Sequence, residues 1–382
     1  MERSGVAELP LHAGKCPRWL FSRMVLLARG IARAVVQEYG TSELLRRLSD
    51  PFWFQALGNV LGFDWHSSGV TTTVCGALKE ALNRERELGI RVAGGKGRAS
   101  RRAPEEIRKL GEELGLRDKD IGNLIRTSRM SAKVDSAAVQ DGYELYHHAI
   151  IFDERGKWCV VQQGMNTTSR YARRYHWVFE RTQRRGFVDE PHTAICAERK
   201  GERVLDLTSR ENKEVRKACV DLLREGKSRV VRWSVMCARN SLLNYAHEIR
   251  RQESCLKMPA DHFHIPLSQS SVKLLERLAE LQPSKFEEIL EVKGAGATTL
   301  RALALTSQLI YGTEISWKDP AKFSFAHGGK DNVPYPVNRK SMERTARLLE
   351  DAIRNAELGK GEKKLALMRL ARWCERVELG EG

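Results

Sequence analysis

The sequence predicts a mainly helical α+β protein with a small antiparallel β module in its middle and a helical C-terminal region. Three observations predict it. Apolar residues recur at helical spacing up to about residue 135 and again after residue 209. Between them, short β-branched and aromatic runs are separated by turn residues. No unit of roughly 20–50 residues repeats, which excludes a solenoid.

Taken in order, Trp19–Val36 sets Leu20, Met24, Leu27, Ile31 and Val35 on one helical face. Thr41-Ser42 caps a helix through Leu48, and Asp50-Pro51 ends it. Phe52-Trp53-Phe54 opens the next apolar stretch, and Thr71–Leu88 is helical again. Gly94–Arg102 is basic, glycine-rich and aperiodic. It reads either as a solvated linker or as a mobile connection that follows a phosphate backbone through Lys96 and Arg98. It lacks the spacing of a P-loop. Pro104 opens a helix to about Leu114. Tyr143–Phe152 and Trp158–Gln163 flank a turn at Asp153–Gly156 and predict a hairpin. Thr193–Ala197 and Arg203–Leu207, around Lys200-Gly201-Glu202, predict a second one. These elements divide the chain into a helical region (1–135), a β-containing module (136–208) and a helical domain (209–382).

The chain has 382 residues, 65 Lys+Arg against 49 Asp+Glu, a formal charge of +16, and 41% hydrophobic residues. Such a composition builds real cores and excludes a disordered chain, a collagen or a disulfide miniprotein. No apolar run approaches the ~20 residues of a membrane span. Met1–Gly14 carries Glu2, Arg3 and Glu8 and does not read as a secretory signal, so a cytoplasmic location is expected. The eight cysteines include no C-x-x-C pair, which argues against a zinc ribbon and for buried thiols. The surplus positive charge points to a polyanionic partner.

The most informative stretch is Phe286–Leu303, where Val-Lys293-Gly294-Ala-Gly296-Ala-Thr298-Thr299 joins two short helices. Glycines let a backbone turn sharply and approach a phosphate, and the first amides of the second helix are free to bind the anion. Lys293, Gly294, Gly296, Thr298 and Thr299 are therefore candidate contacts, which hold a backbone and read no sequence. The spacing resembles the helix-hairpin-helix motif of DNA repair proteins, including the DNA glycosylase superfamily. In the bifunctional members of that superfamily a lysine follows the second glycine by two residues. Thr298 stands there, so the resemblance implies no lyase. The aspartate of those enzymes is matched only by Asn338, with Asp319, Lys330 and Asp331 nearby as a second polar site.

A second resemblance covers most of the chain. Arg3-x-Gly5-x-Ala7-x-Leu9-Pro-Leu-His12, Gly62–Gly69, Tyr175-His-Trp177 and Phe325–Asp331 are similar to an uncharacterised, largely archaeal family known only as a domain of unknown function. It implies one protein type and transfers no mechanism.

Candidate catalytic residues are His66, Asp141, His147, His148, His176, Glu190 and His192. Histidines and carboxylates together suit a divalent ion, Mg²⁺ or Mn²⁺, that activates water on a phosphodiester. Adjacent His147 and His148 point to opposite faces of a strand. Arg170, Tyr171, Arg173, Arg174, Tyr175 and Trp177 interleave charge with rings, a pattern suited to single-stranded or flipped bases. The expected function is DNA binding, most simply by a repair or processing enzyme of nuclease or base-excision type. A non-catalytic DNA-binding or architectural protein and an RNA-processing factor are the alternatives. DNA is favoured over RNA, and the sequence sets neither a metal nor an oligomeric state.

Overall fold

The computed structural model describes residues 16–63, 68–197, 200–227, 229–230, 269–321 and 339–379. At its centre is a five-stranded antiparallel sheet, in the order β1 (Ile90–Lys96), β3 (Glu144–Asp153), β4 (Trp158–Asn166), β5 (Tyr171–Val178), β6 (His192–Cys196). Helices cover both faces. The β class predicted from the sequence is therefore present, and helices dominate the rest.

The strands bury both faces, so each splits its side chains between two cores. Ile150, Phe152, Val160 and Trp177 enter one core, and Ala149, Ile151, Val161 and Val178 enter the other. This is the two-residue period of a pleated strand. The second core is roofed by α1 (Arg18–Tyr39), α2 (Thr41–Leu48), α3 (Pro51–Leu61) and α4 (Gly69–Arg84). Asp50 starts α3 by accepting from the amides of Phe52 and Trp53, and Pro51 fills the first helical position, where no amide is needed. The late helices α13 (Arg339–Asn355) and α14 (Lys360–Leu379) pack beside α1 and α3. The end of the chain thus joins the layer its beginning builds, and the layers cut across the three sequence segments.

The first core is closed by α6 (Ala103–Glu113), α7 (Asp118–Lys133), α9 (Lys213–Arg224), α10 (Gln269–Leu281), α11 (Phe286–Glu291) and α12 (Ala297–Tyr311). Of two short helices, α5 (Arg98–Arg101) leads from β1 into α6, and α8 (Phe179–Arg185) joins β5 to β6. A π-helical turn, Val134–Ala138, follows α7 and leads into β2 (Val139–Gln140).

Several expectations are corrected. The first hairpin is present as β3 and β4, but the second is not. β6 pairs with β5, whereas β7 (Leu205–Asp206) pairs with β2. Two strands were hidden behind other readings. Gly94-Gly95-Lys96 ends edge strand β1 instead of forming a mobile connection, and Arg98–Arg101 is helical. Gly94 has φ +92, and a Cβ there would lie 2.2 Å from the His148 carbonyl oxygen. Its glycine serves strand packing, not a phosphate. Tyr171–Val178, read as a binding surface, is the interior strand β5.

Candidate functional site

The predicted helix–glycine–helix segment is at the surface. α11 ends at Glu291, the chain turns at Lys293-Gly294 with Gly294 at φ +98, and α12 begins at Ala297. Lys293, Gly294 and Thr298 are exposed, Gly296 is half-buried, and Thr299 is buried. Among the described residues no side chain caps the start of α12, and its first turn carries no acidic residue. Its leading amides are therefore open to an external acceptor. Gly296 is extended (φ −99, ψ −179), and a Cβ there would approach only the Gly294 carbonyl oxygen, at 3.7 Å.

Beside this turn runs the outer face of α7. A depression of about 650 Å³ lies between them, walled by Arg126, Arg129 and Lys133 on one side and Val292 and Lys293 on the other. Arg126 pairs with Glu291 across it. Arg129 also borders a second depression, of about 420 Å³, with Ser100, Arg101, Ser128, His147 and His148. Exposed Lys96 and Arg98 lie just before Ser100 in the chain. The two segments expected to meet phosphates, about 190 residues apart in sequence, thus flank one helix.

Beneath the second depression a chain of buried hydrogen bonds crosses the sheet. Ser128 Oγ lies 2.8 Å from His148 Nε2, and His148 Nδ1 lies 2.9 Å from Gln162 Oε1. Gln162 Nε2 donates to Asp135 Oδ2, which also accepts from Trp177 Nε1 at 3.0 Å. The other Asp135 oxygen meets His192 Nε2 at 2.5 Å. Asp135 is wholly buried on the π-helical turn. Such turns recur at functional sites, because the extra residue re-aims a side chain. Burial pushes the His148 imidazolium below its usual range, and the Gln162 contact and Asp135 oppose this only in part.

His192 ends the chain at a third cavity, of about 180 Å³, shared with Glu190, Asp206 and Asp319. Burial raises the Asp206 carboxyl, against its hydrogen bonds from Thr208. Next to it Arg173 binds Asp319 through both terminal nitrogens, at 3.0 and 2.7 Å, and Asp141 at 3.0 Å. Tyr175 donates to Asp141 at 2.6 Å. Burial disfavours the Arg173 charge, yet the two carboxylates outweigh it and hold the guanidinium protonated.

The candidate residues therefore fall into groups. His148 and His192 belong to one hydrogen-bonded chain. Asp141, Glu190 and Asp319 gather near its far end. His147 is buried with neither ring nitrogen hydrogen-bonded among the described residues, and burial, helped by His148 and Lys96, takes its pKa down to about 3. His176 is fully buried against Phe54, its Nδ1 3.3 Å from the Leu48 carbonyl oxygen, and burial holds it neutral. It cannot meet a substrate there. Arg173, Arg174, Tyr175 and Trp177 are at most 1% exposed, which removes them as base or backbone contacts. Arg170 is exposed in the turn before β5, and Tyr171, the first residue of that strand, is half-buried. His66, Lys330, Asp331 and Asn338 lie outside the described residues. Among the described residues no three His, Cys, Asp or Glu side chains converge as a metal site would need. None of the described helices is long and apolar enough to cross a membrane.

Sequence reasoning missed Ser128, Arg129 and Asp135. Ser128 and Arg129 are consecutive helical residues with no motif around them, and Asp135 occupies a π turn that periodicity does not reveal. Gln162 was visible only as a polar residue near the histidines.

What the geometry defines is a mainly helical protein with an antiparallel central sheet, two adjoining basic depressions and a buried polar chain below them. The model of a family described as "Protein of unknown function (DUF763)" matches residues 5–337, and the chain belongs to that family. Neither the curated proteins nor the solved structures contain a match to the chain.

Proposed function

We propose that this protein binds DNA by its backbone, along the furrow from Lys96–Arg101 over α7 to the turn at Lys293-Gly294, and that it processes the DNA held there. The observation that carries this reading is Arg129, which borders both depressions and makes no ion pair among the described residues. A guanidinium left unpaired between two basic walls fits a phosphate bidentately. The open amides at the start of α12 and the formal charge of +16 support the same partner.

Backbone contacts should make duplex affinity fall steeply with salt, with a log–log slope of about −0.9 per neutralised phosphate. Arg129→Glu and Lys293→Glu should weaken binding and flatten that slope, whereas Arg84→Glu, on the helical layer across the sheet, should not. Salt-independent affinity, or equal losses in all three variants, would remove DNA from the reading. Labelled RNA duplex in the same assay decides between the two nucleic acids. A repair nuclease or base-excision role in the cytoplasm is the processing we favour, with Mg²⁺ or Mn²⁺ as the expected ion. Incubation with each ion and with a chelator tests that part. Binding with no conversion under any condition leaves an architectural protein.

A further inference from the structure

We propose that Ser128 is a nucleophile that attacks a backbone phosphate in the furrow, with His148 as its general base and Gln162 as the residue that positions that base. The proposal rests on the backbone-binding reading for its substrate, but the activation of the serine stands on geometry alone.

The direction of each proton follows from the partners. Gln162 donates its amide nitrogen to Asp135, so the Oε1 turned toward His148 can only accept. His148 Nδ1 must then carry the ring hydrogen, which leaves a lone pair on Nε2. Ser128, 2.8 Å away, donates its hydroxyl hydrogen to that lone pair. A helical serine ordinarily bonds back to a carbonyl in its own helix, as Ser131 does to Ser128. Ser128 instead points its proton at a neutral, oriented imidazole. That is the ground state of an activated hydroxyl, with Gln162 and Asp135 in the orienting place that a carboxylate or amide takes in other nucleophile–base pairs.

The surroundings suit a phosphate. Ser128 and His148 border the same depression as Arg101 and Arg129, whose charges would meet the equatorial oxygens of a phosphate under attack.

The step balances without an added oxidant, reductant or metal. Ser128 Oγ forms a bond to phosphorus as His148 Nε2 takes the hydroxyl proton. The bond from phosphorus to one sugar oxygen breaks, and that oxygen leaves with the proton from His148. Water or a strand hydroxyl then attacks phosphorus as the same imidazole takes its proton, the phosphorus–Oγ bond breaks, and His148 returns that proton to Oγ, which frees Ser128.

Two measurements on the full chain test this. A small fluorophosphonate, which needs no DNA, should label Ser128, as mapped by mass spectrometry of the digested protein. His148→Ala should slow labelling by about 100-fold or more, the usual share of a general base. Gln162→Leu should slow it less, and Ser128→Ala should abolish it. Labelled duplex denatured in detergent should also show a covalent protein–DNA adduct, absent in Ser128→Ala, while that variant keeps wild-type salt-dependent binding. Circular dichroism controls the fold, and Ser128→Cys, which retains a nucleophile beside His148, should restore an adduct. No label on Ser128, or cleavage undiminished in Ser128→Ala, overturns the proposal. Labelling of Ser128 without any DNA binding would keep the activated serine and overturn the backbone-phosphate substrate together with the furrow reading.

Discussion

The two faces of the central sheet carry nearly the same residue types and put them to different uses. Neighbouring residues are divided between them: His147 from His148, Gln163 from Gln162, Arg174 from Arg173, His176 from Tyr175 and Trp177. On the α1–α4 face, Gln163 donates to the Ser68 carbonyl oxygen at 2.8 Å, Arg174 stacks on Phe54 at 4.9 Å, and His176 meets Leu48. None of the three borders a depression described above. On the α7 face, His148, Gln162, Asp135 and His192 form one chain with a cavity at each end. Composition does not separate the faces. What separates them is whether the covering helices leave an opening.

The sharpest way to break this comparison is at Asp135, whose carboxylate serves Gln162, Trp177 and His192 together. Asp135→Ala leaves three buried donors without an acceptor and should cost about 3–5 kcal/mol, at about 1–3 kcal/mol per orphaned group with partial relaxation. Urea denaturation measures it, and an unchanged midpoint would mean that the chain is not a structural unit.

A next smaller effect concerns glycine. Gly94→Ala forces φ +92 on a residue with a Cβ and drives that Cβ toward the His148 carbonyl oxygen. It should destabilise by about 2–4 kcal/mol. A wild-type melting temperature in this variant would show that β1 can shift away from β3.

Acid should act on both faces alike. Burial holds His147, His148 and His176 neutral in the folded state, all below their ordinary range. A depressed folded-state value means that the unfolded chain binds protons first as pH falls through about 6.5. Their contribution is therefore fully present above that pH and is lost on acidification, toward about 3 for His147. Each buried histidine adds up to about 1.4 kcal/mol per pH unit to the slope. Stability measured at several pH values should steepen below about pH 6.5, and His176→Leu should reduce the slope by one histidine's share. A slope indifferent to that substitution would place the proton uptake elsewhere.

The smallest effect on stability should come with a real effect on binding. Gly296→Ala meets nothing closer than 3.7 Å and keeps an ordinary extended backbone, so the fold should change by less than about 0.5 kcal/mol. An added methyl beside the open amides of α12 should nevertheless weaken duplex binding. Equal affinity would mark the turn as a packing corner.

Much of the architecture was legible because local signals are local physics. Asp50-Pro51 ends one helix, as read, and Asp50 also starts the next by accepting the amides of Phe52 and Trp53, while Asp153 holds the turn through the amides of Arg155 and Lys157. The helix–glycine–helix segment was readable for the same reason. β1 and β5 were not, because their residues mislead when read singly. Three glycines and a lysine suggested a solvated linker, whereas an edge strand uses Gly94 for close approach to β3. Six basic and aromatic residues between Arg170 and Trp177 suggested a binding face, whereas Asp141 and Asp319 neutralise Arg173 in the interior.

By itself, then, the sequence determined helices, the first hairpin, the glycine turn and the positive charge, each set by residues within a few positions of one another. It did not determine the cap read at Thr41-Ser42, where Gly40 takes the cap position and Thr41 donates to Asp153. The tertiary structure alone decided which member of each neighbouring pair faces a cavity, since that depends on strand register and on the helices that cover the sheet. It also joined Ser128, Asp135, His148, Gln162 and His192, which come from one helix, a π turn and three strands. No spacing encodes that meeting. It arises from packing both faces of a sheet, where each polar group removed from water must find a partner brought by another part of the chain.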